Sequence, residues 1–164
     1  MQLADALLAS WDKQAEIIDR IAARADEALL DAKATADGWT VAFHLCHIHE
    51  TRYYWLGQVG KARAESLGDV FTEQDGEWIP SRDVGHIRAQ LAASAKAVRD
   101  ATADLIAADA EPAGPYFHAV HFLGHMVWHE GWHAGLILTA FRQAGREDEE
   151  WENENVWGLW RAYG

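Results

Sequence analysis

One cysteine, three prolines and fourteen lysines and arginines are what this chain of 164 residues has least of. Each scarcity removes a class of protein. A lone thiol, Cys46, makes no internal disulfide, so the expected setting is a reducing one. Few prolines, with 49% hydrophobic residues, argue against a disordered or linker-like chain and for a packed core. Against 26 aspartates and glutamates the cations leave a net charge of −12, which repels a phosphate backbone. Nucleic acid is therefore an unexpected partner. No apolar run approaches the roughly 20 residues of a membrane span, and Asp5, Asp12 and Lys13 interrupt any leader-like start. A cytoplasmic, membrane-free protein of one domain, residues 1–164, is the expectation.

What the chain does have is helical periodicity. Leu3, Leu7, Trp11, Ile18, Ile21, Ala25 and Leu29 predict an amphipathic helix over about 3–32, broken by Asp37-Gly38. Thr40 is a candidate N-cap for a second helix, striped by Val41, Leu45, Ile48, Trp55 and Val59. Residues 68–80 carry Gly68, Gly76 and Pro80 without a sustained period and read as a long connection. Ser81 is the expected cap of a third helix through Val84, Ile87, Leu91, Ala95, Val98 and Leu105. The fourth helix, about 116–143, is apolar almost all round, which predicts burial. Trp151, Trp157 and Trp160 in the tail read as a packed cap. With no strand signal, the expected fold is an all-α four-helix bundle. The long link would allow a crossover that leaves helices two and three parallel.

Nine histidines stand out. His121, His125, His129 and His133 recur every four residues along the fourth helix. Neighbours at that spacing share a face and can chelate one ion. The face drifts by about 40° per step, so one adjacent pair, not all four, can serve one ion. Neutral imidazole suits zinc, nickel and iron. A third donor is available on helix two, where His44 and His47 share a side that spacing alone does not resolve, while His49 points elsewhere.

His129-Glu130-Gly131-Trp132-His133 also spells the H-E-x-x-H pattern of zincin metalloproteases, with Glu130 as general base and Glu152 near the place of a third ligand. Glu152, however, lies in a stretch so acidic that any spacing would find a carboxylate. Gly131 weakens the helix by about 1 kcal/mol, and no strand is expected on which a peptide could lie.

A different likeness accounts for more of the chain. Gly38-Trp39-Thr40-Val41 followed by His47 resembles the second-helix signature of the DinB-like superfamily, which includes the YfiT-like proteins. His129-Glu130-Gly131-Trp132-His133-Ala134-Gly135 is similar to its fourth-helix motif, although Ala134 and Leu136 replace the usual Arg and Gln. Val156-Trp157-Gly158-Leu159-Trp160 is similar to tails of some members. The resemblance implies a four-helix bundle holding one divalent metal, zinc or nickel, on His47, His129 and His133, and it implies homodimers. It further implies a metal-dependent transferase acting with a low-molecular-weight thiol, such as bacillithiol or mycothiol, on an electrophilic substrate. A non-catalytic metal-binding protein is the alternative. His44, His121 and His125 are additional to the family's ligands. Glu50 and Glu130 are candidates for acid-base help, each more simply read as a solvated charge or a partner to a ligand. Trp55 and Trp132 are candidates for a pocket wall.

Overall fold

The computed structural model describes residues 2–161; the first residue and the last three of the expected domain lie outside that range. The chain is mostly helical, with one small two-stranded sheet. Four long helices dominate: α1 (Leu3–Arg24), α2 (Val41–Val59), α4 (Val84–Ala107) and α5 (Ala119–Gln143). A short α3 (Lys61–Ala64) follows α2, and α6 (Glu149–Glu152) and α7 (Gly158–Trp160) lie beyond α5.

The ends of the helices follow from local chemistry. Thr40 caps α2 as expected, its hydroxyl accepting from the Phe43 amide at 3.2 Å. α1 stops at Arg24 rather than near residue 32. There the Asp26 carboxylate accepts from the Leu29 amide at 2.9 Å and closes a separate turn, Leu29–Asp31, which still buries Leu29 and Leu30. Asp83, not Ser81, caps α4, accepting from the His86 amide at 3.0 Å. α5 begins at Ala119 because the His118 ring accepts from the Val120 amide at 3.0 Å.

Two expectations fail more substantively. The link read as structureless folds into a hairpin, β1 (Phe71–Gln74) against β2 (Glu77–Pro80), antiparallel with Thr72 opposite Ile79. Asp75 and Gly76 both have positive φ, 54° and 83°, the turn that Asp-Gly favours between two twisted strands. Nor is α5 buried all round. Its outer face shows Val120, Trp128 and Trp132 to solvent, interspersed with Gly124, Gly131 and Gly135. In the tail, Trp151 packs on the core under Arg24, 4.4 Å above its ring, whereas Trp157 and Trp160 are half-exposed.

The core has two apolar clusters with a polar layer between them. One gathers Ile17, Ile21, Leu45, Ile48, Leu91 and Ile137; the other gathers Trp11, Leu56, Val98, Phe122 and Met126. Each long helix supplies one polar residue at the boundary: Gln14, Arg52, Ser94 and Glu130, all buried. The order of clusters along the chain shows that α1 and α5 run through the layers in one sense. α2 and α4 run in the other.

Candidate metal centre

α2 and α5 place the histidines. His44 and His47 stand one turn apart on α2, and His129 and His133 one turn apart on the facing side of α5. One ring nitrogen from each of His47, His129 and His133 lies within 4.8 Å of the other two. The Nε2 atoms of His129 and His133 are 3.1 Å apart. Zinc held tetrahedrally at about 2.1 Å separates its ligand nitrogens by about 3.4 Å, so the spacing suits a small divalent ion. The donor chemistry fits as well. Burial pushes His129 down to about 4 and His133 to about 3, aided by the neighbouring imidazoles, and lowers His47 by desolvation. All three are neutral near pH 7 and present lone pairs.

His44, which spacing could not separate from His47, is placed behind the cluster. Its Nδ1 lies 2.8 Å from His133 Nδ1, on the opposite edge of that ring from Nε2. With His133 Nε2 carrying the lone pair, Nδ1–H donates to His44, which fixes the tautomer and the ring plane. Burial holds His44 down at about 4, so it stays neutral and can accept.

Two neighbours were not singled out from the sequence. Thr51, one turn after His47, puts its hydroxyl 3.3 Å from His129 Nε2 and 3.5 Å from His47 Nε2. Its i+4 relation to His47 was the available signal. Trp39, noticed only within a motif, lies parallel to the His133 ring at 6.0 Å and edge-on to His47 at 5.1 Å. It roofs the histidines while remaining 45% exposed.

The other candidates lie elsewhere. Glu130 is buried and accepts from Arg52 Nε at 2.7 Å, so it is neither a solvated charge nor free to act as a base. Arg52 Nη1 also donates to the Leu91 carbonyl at 2.7 Å and to Ser94 at 3.2 Å. Glu152 pairs with Arg142 and stands outside the cluster. His125 Nδ1 is 2.6 Å from the Tyr116 hydroxyl, and His121 packs on Phe117. Trp55 packs against Tyr116 and His125 rather than over the cluster. Cys46 is buried, its thiol pushed up to about 12, which leaves it inert.

Two crevices open beside the histidines. One of about 270 Å³ is lined by Trp39, His44, Trp132 and His133 among others. The second, about 310 Å³, is lined by Phe43, His47, Glu50, Phe71 and Trp78. The hairpin supplies its outer wall. His49 ties that region to α2 and α4, its ring nitrogens lying 2.9 Å from the Gly68 carbonyl and 3.1 Å from that of Gln90.

The sequence profile of the DinB family matches residues 1–155, which include every histidine of the cluster. No curated protein and no solved structure shows a match to the chain. No helix among the described residues is long and apolar enough to cross a membrane.

Proposed function

The chain belongs to the DinB family, and from that premise we propose that it is a metal-dependent transferase using a low-molecular-weight thiol. His47, His129 and His133 hold one divalent ion, zinc or nickel. The observation that carries the reading is the convergence of three neutral imidazole nitrogens within 4.8 Å. Three protein ligands leave a position open, as catalytic rather than structural zinc sites do. A metal in that setting lowers the pKa of a bound thiol and keeps its sulfur as thiolate.

The chain's own residues do the rest. His44 holds His133 in the ligating tautomer. With the ring nitrogens engaged, the Thr51 hydroxyl is left to hydrogen-bond an atom bound beside His47 and His129. Trp39 shields one flank from water, and the crevices beside His133 and His47 receive the two substrates. The remaining family traits follow the same premise. We read the four long helices as a single-domain bundle, with residues 60–83 as the crossover that lets α2 and α4 run alike. A cytoplasmic homodimer fits the lone buried thiol and the exposed Trp128–Trp132 face of α5.

Elemental mass spectrometry on untagged protein, purified without chelator, tests the centre. About one equivalent of metal is expected in the wild type. It should be lost in His47→Ala and in His129→Ala/His133→Ala, with helicity retained. Loss in the double variant alone would move the third ligand to His44. A wild type that carries no metal and takes up none on titration would refute the reading. With metal established, transfer of mycothiol or bacillithiol to model electrophiles tests the reaction, and a stable helical apo protein without activity distinguishes a catalytic ion from a structural one.

A further inference from the structure

The crevice beside His47 has an unusual lining. Phe43 and Phe71 meet edge to face at 5.1 Å, and Trp78 extends that wall at 6.5 Å from Phe71. The same crevice is lined by a single carboxylate, Glu50, one turn after His47 on α2. Glu50 is only partly accessible, and among the described residues it makes no ion pair or hydrogen bond. The other glutamates that are not exposed, Glu16, Glu130 and Glu152, are each matched by an arginine. Asp69 lies close enough to repel the Glu50 charge.

We propose that this aromatic crevice binds an organic cation, an alkylammonium group of the substrate, with Glu50 as its counter-charge and Phe43, Phe71 and Trp78 as its walls; calling the ligand a substrate rests on the metal-centre reading above. Three considerations select a cation. An anion meets Glu50, Asp69 and a chain of net charge −12. A neutral apolar group fits the rings but covers a carboxylate without giving it a partner, which is costly. A cation answers both, since the faces of aromatic rings attract it and the carboxylate neutralises it. The volume, about 310 Å³, holds a small head group rather than a polymer.

Choline chloride is a suitable probe, with 3,3-dimethyl-1-butanol as its uncharged isostere, each titrated by ligand-observed NMR against the full chain. Choline should bind at least about tenfold more tightly than the alcohol, the scale of a partly desolvated cation–aromatic contact. Glu50→Gln should reduce choline affinity about tenfold and leave the alcohol unchanged. Trp78→Ala should weaken both; Trp78 is 62% exposed on the hairpin, so its loss spares the core. Equal binding of the two probes would overturn the inference, as would no saturable choline binding or a Glu50→Gln variant with unaltered choline affinity. Metal content is read on the same samples. Choline binding without metal keeps the cation site and removes the metal centre; metal without choline binding does the reverse.

Discussion

Replacing Arg52 by methionine should destabilise the protein by about 3–5 kcal/mol, the cost of leaving one member of a buried ion pair alone. The structure says where that cost falls. Arg52 and Glu130 have side chains only 1% exposed, and among the described residues Arg52 Nε is the sole close donor to Glu130 Oε1. The next donor to that carboxylate, Gln14 Nε2, stands 3.4 Å from Oε2, too far to compensate. The other partners of Arg52 suffer less, because the Leu91 carbonyl still accepts from the Ser94 hydroxyl at 3.2 Å. Methionine fills most of the same space beside Trp11, whose ring centroid lies 5.2 Å from the guanidinium carbon. The loss is therefore one of charge compensation more than of volume.

Urea unfolding of the metal-free protein, followed by circular dichroism and by tryptophan fluorescence, measures it. Apo protein removes the contribution of ligand binding to apparent stability, and coincident transitions check two-state behaviour. With a slope of about 2 kcal/mol per molar, the midpoint should fall by about 1.5–2.5 M. The double variant Arg52→Met/Glu130→Leu should recover most of that fall, since no charge then stays buried. A single variant costing under about 1 kcal/mol would refute the reasoning. So would a double variant no more stable than the single, which would place the cost in packing.

Two further predictions concern the histidines. His44→Phe should keep the fold but weaken metal affinity about 10–100-fold, read by competition with a chromophoric chelator; unchanged affinity would mean that the 2.8 Å contact to His133 does not orient the ligand. Apo-protein stability should fall as the pH drops from 6.5 towards 4. Burial depresses His44, His129 and His133, so in that window the unfolded chain binds protons that the folded one refuses. Urea midpoints flat between pH 7 and pH 4.5 would contradict this.

The four long helices were legible because apolar residues recur at helical spacing over many turns in α1, α2 and α4 and run almost all round the segment that forms α5. The His129–His133 pair was legible for a related reason, since i and i+4 share a face. Which of His44 and His47 would join the cluster was not legible from spacing, because both reach His133: a His47 nitrogen lies within 4.8 Å of the His129 and His133 donors, and His44 meets His133 Nδ1 at 2.8 Å. The hairpin was hidden by four-residue strands whose side chains are nearly all exposed, with only Phe71 and Pro80 partly covered, so no alternation is written into them. Asp75-Gly76 was the one local signal. The exposure of α5 escaped notice because tryptophan and glycine count as apolar while neither here meets a neighbouring helix.

Glu130 shows why a short motif is insufficient to assign chemistry. In H-E-x-x-H the glutamate lies about 100° around the helix from the histidine before it, and its role depends on what faces it there. Here Arg52 faces it, immediately after Thr51 on α2. The same stretch of α2 thus sends His47 and Thr51 to the histidines and Arg52 to the polar layer. On α5, His129 and His133 face the cluster while the residue between them in sequence, Glu130, faces Arg52. Slipping α2 by one turn along α5 would carry Arg52 about 5.4 Å from Glu130 and bury both charges unpaired. The ion pair therefore penalises that slip, and with it a change in the distance of His47 from His129. An apolar pair could fill the same volume without adding that penalty.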